Sequence, residues 1–290
     1  MTAPVFIIGG SRTGSEMLKT MLSVSPKLDF VDELFLRCPR WLHRDLENLL
    51  RTSLGREAMA GDTDRVLEVL YSGEPYGWVW GRANEKFDRE VLRGNLESGP
   101  IDLKRIFDGL MAAHAANTGK QGRGAKFPMH FSYSRQLVEW YPDCKLLHTT
   151  RDPRAVYASQ ANKYVKPEDP FSTRAWMKAR QFVHINLQVA WTARLHRQLG
   201  GLKNYRLVRY EDVVQNPERE MIHICDFLEV EFQPEMLFPH QYGSSYGEIR
   251  GKKGVDASSL EAWRKRITPF TAALLRVLHP VAWRRFGYAR

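Results

Sequence analysis

Cysteine is scarce: Cys38, Cys144 and Cys225 are the only three in 290 residues, widely spaced and odd in number. No C-x-x-C pair occurs, so neither a zinc knuckle nor a dithiol motif is indicated, and the thiols are expected to be reduced and structural. Long apolar runs are also missing. None approaches the ~20 residues of a membrane helix, and no basic segment leads into an apolar one at the N-terminus. A soluble, cytoplasmic chain without a transmembrane segment is expected. Blocks of five like charges, RNA-recognition motifs and zinc fingers are absent as well, which makes nucleic acid the weaker partner for a net charge of +10.

What is present is an ordinary globular composition, 43% hydrophobic and 26% charged. That excludes disordered and fibrous architectures. The length allows one large α/β domain or two small ones. Val5–Ile8 reads as a strand that ends at Gly9-Gly10, and the spacing of Met17, Leu18, Met21 and Leu22 predicts a helix after Ser15. The same order recurs at Lys145–Thr149, where Asp152 can cap a helix and Pro153 suits its first position, and again at Tyr205–Arg209 followed by Pro217–Leu228. Trp41–Leu54 and Ile101–Asn117 also look helical.

Strands alternating with helices predict a parallel sheet covered on both faces, with ligands at the carboxyl ends of the strands. No repeat or low-complexity linker interrupts the chain. A single domain over 1–290 is therefore expected.

The loop Gly9-Gly10-Ser11-Arg12-Thr13-Gly14-Ser15-Glu16 suits an anion. Glycines admit it, N–H groups at the helix start point toward it, and Arg12 adds a forked cation. A plain strand-to-helix turn is the alternative. The loop is not a nucleoside-triphosphate P-loop, because Ser15-Glu16 follows Gly14 where Lys and then Ser or Thr would be required. Arg151, at the end of a strand, and Ser159, two turns into the next helix, can meet one phosphate.

These segments resemble the sulfotransferases that use 3′-phosphoadenosine-5′-phosphosulfate (PAPS). Their 5′-phosphosulfate loop is similar to Gly9–Leu18, and their Arg-Asp-Pro-Arg-x-x-x-x-Ser motif matches Arg151–Ser159. A third segment, Tyr205–Leu228, is similar to the family's strand, Tyr-Glu-Asp turn (Tyr210-Glu211-Asp212) and helix. The resemblance implies a three-layer, P-loop-NTPase-like α/β fold with a central parallel sheet. It also implies sulfuryl transfer from PAPS to a hydroxyl, with 3′,5′-phosphoadenosine (PAP) as product and no metal.

In that frame Arg12, Thr13, Gly14, Ser15 and Glu16 surround the 5′-phosphosulfate, although Glu16 departs from the family's Thr or Ser. Arg151 and Ser159 read the 3′-phosphate, with Lys163 one turn further on, and Tyr210, Lys253 and Gly254 complete the donor site. Lys253 and Gly254 lie in Arg250–Arg264, which resembles a flexible basic loop. Lys126 stands in a segment similar to the family's Lys-x-Pro stretch after a strand, and it can neutralise charge together with Arg12.

A base must face the donor. Glu33 follows Ser25-Pro26 at the spacing of tyrosylprotein and many bacterial sulfotransferases. Asp32 is the rival carboxylate, and His130 the base used in other branches. Tyr71, Tyr76, Trp78, Trp80, Phe87 and the Trp41 region either line an acceptor pocket or belong to the core. The acceptor is expected to be a small-molecule, glycan or lipid hydroxyl. A nucleotide-dependent kinase and a non-catalytic nucleotide- or nucleic-acid-binding module are the alternatives.

Overall fold

The computed structural model describes residues 3–32, 46, 62–72, 83–128, 133–239, 255, 257 and 260–288. In chain order these form β1 (Val5–Gly9), α1 (Ser15–Leu22), β2 (Val31–Asp32), α2 (Thr63–Ser72), α3 (Ala83–Lys86), α4 (Arg89–Glu97), α5 (Leu103–Thr118), β3 (Gly124–Pro128), α6 (Ser134–Trp140) and β4 (Lys145–Thr150). They continue as α7 (Pro153–Tyr164), α8 (Phe171–Leu199), β5 (Tyr205–Arg209), α9 (Tyr210–Gln215), α10 (Pro217–Leu228), α11 (Pro269–Leu278) and α12 (Pro280–Arg285). The three strand-then-helix units expected from sequence are all present. The helix expected at Trp41–Leu54 lies, apart from Leu46, outside the described residues.

The strands make one five-stranded sheet ordered β2-β3-β1-β4-β5. Helices follow the strands and flank the sheet, as expected for a fold of the P-loop-NTPase type. β1 is buried along its whole length, as an inner strand covered on both faces must be. Phe6, Ile7 and Ile8 have no exposed surface, and each such side chain contributes about 1.5–3 kcal/mol through burial.

The chain divides into two compact units, Met1–Ile7 with Leu22–Leu146 and Ile8–Met21 with Leu147–Arg290. In the first, β2 pairs in parallel with β3, with Val31 opposite Ala125 and Asp32 opposite Lys126. The helix pair α4 and α5 has well-formed ends: Asp88 and Asp102 cap them, and Gly119 closes α5 in a left-handed conformation. The second unit holds the carboxyl ends of β1 and β4, together with α7 to α12. There α7 starts as its sequence predicts, Asp152 accepting from the Arg154 amide at 2.8 Å with Pro153 as the first helical residue.

Chain connections leave β1 toward β3 and β2, whereas β4 and β5 lie on its other side. The topological switch point is thus between β1 and β4, where open α/β sheets bind ligands beyond the carboxyl ends. In this chain those ends lead into Gly9–Gly14 and Arg151.

Buried Cys144 and Cys225 are free thiols, with pKa values pushed up by burial to about 12 and about 11. Both resist ionisation, in keeping with a structural role. Cys38 lies outside the described residues. No helix among those residues is long and apolar enough to cross a membrane.

Candidate active site

The loop after β1 departs from ordinary backbone at three positions, with φ of +148° at Gly9, +68° at Arg12 and +93° at Gly14. Gly9 is required sterically as well. A Cβ there would lie 2.3 Å from Thr149 Oγ1 and 2.6 Å from the Thr149 carbonyl. Thr149, in β4, fixes the loop by its hydroxyl, which bonds the Ile8 carbonyl at 3.2 Å and pairs with Thr13 Oγ1 at 2.7 Å. Thr13 also donates to the Gly10 carbonyl at 2.7 Å. Its side chain therefore anchors the loop, leaving backbone N–H groups as its contribution to an anion.

Arg12 holds a left-handed conformation that costs a non-glycine residue about 1–3 kcal/mol. Its side chain is tied down in return: Nε donates to Ser159 Oγ at 2.9 Å. This bond joins the loop after β1 to the second turn of α7. Arg151 approaches from the end of β4, its Nη1 3.5 Å from the Arg12 carbonyl and its guanidinium 3.9 Å from the ring centroid of Tyr210. The Tyr210 ring also packs against Gly14, where a Cβ would fall 2.5 Å from Cδ2.

Arg12, Arg151, Ser159, Gly14 and Tyr210 are thus assembled in one place. Burial lowers the pKa of Arg151 from its ordinary value, and Arg12 adds to that shift, while Tyr210, Glu211 and Asp152 oppose it. An arginine stays cationic under such shifts, so what burial produces is a poorly solvated positive charge that an anion would relieve.

Two other predicted residues have partners close by in sequence. Glu16 turns to Lys19, whose Nζ lies 2.8 Å from its carboxylate. Lys163 is exposed, with Nζ over the ring of neighbouring Tyr164. Ser15 is buried at the first position of α1.

In the first unit Lys126 is only 5% exposed and lies inside β3, not after it as expected. The strand pairing explains its partner: opposite residues of neighbouring strands share a face, and Lys126 Nζ sits 3.3 Å from Asp32 Oδ1. Glu33, His130, Lys253 and Gly254 lie outside the described residues, as do Trp41, Tyr76, Trp78 and Trp80. Phe87 is buried and Tyr71 donates to the Phe87 carbonyl at 3.0 Å, so these two aromatics are packing residues.

Several residues escaped the sequence reading. Gln188 of α8 donates from Nε2 to the Ser11 carbonyl at 3.2 Å and fills the space a Gly10 side chain would need. It comes from far along the chain and carries no motif. Arg154, the second arginine of the Arg151–Ser159 motif, is buried in a structural box. It forks onto Asp152 and stacks on Trp263 at 4.1 Å and Trp283 at 5.0 Å. Trp263, expected at the end of a flexible loop, is instead a buried wall of that box.

Glu211 accepts from the Asp152 amide at 2.8 Å and has its pKa raised by burial. Tyr210-Glu211-Asp212, expected as a turn, is instead the first turn of α9 and thereby braces the start of α7. Behind the loop, Thr13, Arg151, Gln188, Ile185, Phe286 and Tyr288 help line a small cavity. Among the described residues, no three His, Cys, Asp or Glu are grouped to hold a metal.

The sulfotransferase family model matches residues 4–234. No curated protein matches the chain by sequence. Among solved structures, the sulfotransferase domain of the Synechococcus PCC 7002 olefin synthase is 21% identical with a TM-score of 0.59, covering 100% of this chain and 97% of that one. The sulfotransferase domain of the curacin biosynthetic pathway is 18% identical with a TM-score of 0.57, covering 100% and 99%. Mouse sulfotransferase SULT7A1 complexed with PAP is 11% identical with a TM-score of 0.51, covering 98% and 84%. These neighbours share the fold, and the match over most of its length shows that the chain belongs to the sulfotransferase family.

Proposed function

We propose that the protein transfers a sulfuryl group from PAPS to the hydroxyl of a small-molecule, glycan or lipid acceptor. The bond from Arg12 Nε to Ser159 Oγ carries this reading, because it joins two anion-binding motifs, each with its own arginine. A donor with phosphate at both the 5′ and 3′ positions matches two such motifs better than a nucleoside triphosphate does. The mouse relative solved with PAP supports that choice of nucleotide.

In this reading the N–H groups of Thr13 to Glu16, at the start of α1, hold the 5′-phosphate, and Gly14 permits its close approach. Ser159 receives a hydrogen bond from Arg12, so its own hydroxyl hydrogen is available to the 3′-phosphate beside Arg151. Tyr210 supports Arg151 from below. Lys163, Lys253 and Gly254 are further donor contacts implied by the resemblance.

The acceptor oxygen attacks sulfur, the bond from sulfur to the 5′-phosphate oxygen breaks, and the phosphate leaves with the electron pair as part of PAP. Glu33 takes the acceptor's proton, a role that rests on its spacing from the loop. Arg12 and Lys126 offset charge on the departing phosphate, which leaves no step that calls for a metal. Asp32 is already engaged with Lys126, which favours Glu33 as the base. We also propose one domain over 1–290, since the boundaries between the two units fall inside β1, α1 and β4 and not in linkers. The cysteine usage supports a cytoplasmic setting.

Calorimetric titration with PAP, adenosine 5′-phosphate and ATP tests the reading without knowledge of the acceptor. PAP is expected to bind at least about tenfold more tightly than either, a difference of about 1.4 kcal/mol. Equal affinities would overturn PAPS as donor, and preference for ATP would favour a kinase.

A further inference from the structure

α8 has a well-exposed apolar face opposite the one it buries. α8 buries Gln181, Ile185, Gln188, Val189, Thr192, Leu195 and Leu199 along one face. On the opposite face Trp176, Arg180, Val183, Leu187, Trp191 and Arg194 follow one another at steps of three or four residues and form a single stripe. The apolar members are well exposed, at 61% for Trp176, 58% for Val183, 57% for Leu187 and 45% for Trp191. Each tryptophan has a nearby arginine, Arg180 over Trp176 and Arg194 over Trp191, both at 5.6 Å.

The charge is one-sided. α8 contains Arg174, Lys178, Arg180, Arg194 and Arg197 and not one Asp or Glu over Phe171–Leu199. A second copy of the chain seated on the stripe by two-fold symmetry would set Arg180 and Arg194 against like charges, and neither α8 carries an acid. A convex helix face also lacks the concavity that grips a small molecule. Two tryptophans about 22 Å apart, aliphatic side chains between them and arginines beside them suit a flat anionic surface, with aromatic rings at headgroup depth and guanidiniums on phosphates.

We propose that the α8 stripe docks the protein on the surface of an anionic lipid bilayer, peripherally and reversibly. The proposal is independent of which acceptor the enzyme uses.

Cosedimentation with vesicles tests it. The full chain is expected to pellet with an equimolar mixture of phosphatidylglycerol and phosphatidylcholine and to remain in solution with phosphatidylcholine alone. The double variant Trp176→Ser/Trp191→Ser keeps the charge and is expected to lose about tenfold in vesicle affinity. The double variant Arg180→Gln/Arg194→Gln is expected to lose a similar factor and to show a shallower salt dependence. Circular dichroism and melting temperature check that both variants are folded, as expected for exposed sites.

Absence of binding to the anionic vesicles would overturn the proposal. So would equal binding by the tryptophan variant, which would mark adsorption by net charge alone. A dimer of the parent chain in light scattering that the tryptophan variant dissolves would assign the stripe to self-association instead.

Discussion

Gln188 Nε2 donates to the carbonyl of Ser11 across 3.2 Å, linking the middle of α8 to the loop after β1. A trans peptide points its C=O and the next N–H in opposite directions, so holding the Ser11 carbonyl toward α8 turns the Arg12 N–H away from it. Gln188→Leu removes the donor at similar volume and is expected to weaken PAP binding by about tenfold, as loss of one buried hydrogen bond would. Gln188→Glu, which sets a carboxylate against a carbonyl, is expected to weaken it further, whereas Gln188→Asn should recover part of the loss. Calorimetry with the three variants distinguishes this from a general packing role, in which Leu would be the mildest change.

Arg151→Ala is expected to reduce PAP affinity by about a hundredfold, in line with loss of a charge-assisted contact, while leaving adenosine 5′-phosphate nearly unaffected. Titrating both nucleotides reads the selectivity. Equal losses would mean that Arg151 supports the loop through the Arg12 carbonyl and does not read the 3′-phosphate.

Gly14→Ala is expected to destabilise the fold by about 2–4 kcal/mol, combining an unfavourable φ with overpacking against a neighbouring ring. The ring in question is that of Tyr210, held in place by Arg151 on its other contact. Thermal unfolding gives the measurement, and an unchanged melting temperature would mean that the ring moves aside freely.

Glu33→Gln is expected to abolish turnover with an identified acceptor while PAP affinity stays within about twofold, since a base contributes to the transition state and not to nucleotide binding. Retained turnover would transfer the role of base to His130.

His148 is fully buried, with Nδ1 2.7 Å from the Tyr205 hydroxyl, which also lies 3.1 Å from His196 Nδ1. Burial lowers its pKa to about 3, with His196 adding to the shift. A folded-state value below the unfolded one makes the unfolded chain bind the extra proton first. Stability from this group is therefore complete above about pH 6.5 and declines as pH falls toward 3. His148→Gln is expected to flatten that part of the profile of melting temperature against pH, and an unchanged slope would place the acid sensitivity elsewhere.

The local pieces were legible because their causes are local. Apolar runs made β1 and β4, Asp152 and Pro153 started α7, and glycines stood where the backbone needs positive φ or close approach. The spacing of Arg151 and Ser159 predicted only that the two can meet one phosphate, and the family resemblance implied which phosphate. Its position at the strand end singled out Arg151 for that role and left Arg154 without one. Only the folded chain showed Arg151 beside the loop after β1 and Arg154 boxed between Asp152, Trp263 and Trp283.

By itself, then, the sequence determined the strand-and-helix order, the glycine loop after β1 and where the arginines and hydroxyls fall along the chain, since periodicity, capping and backbone freedom act over a few residues. Tertiary structure decided which of those residues meet. Strand order set β1 beside β4, which brought Arg12 to Ser159 over a separation of 147 residues, Tyr210 to Gly14, and Gln188 to Ser11. Register likewise chose Asp32 for Lys126. Such pairings depend on how elements pack, and packing is a property of the whole sheet and its covering helices that no local pattern encodes.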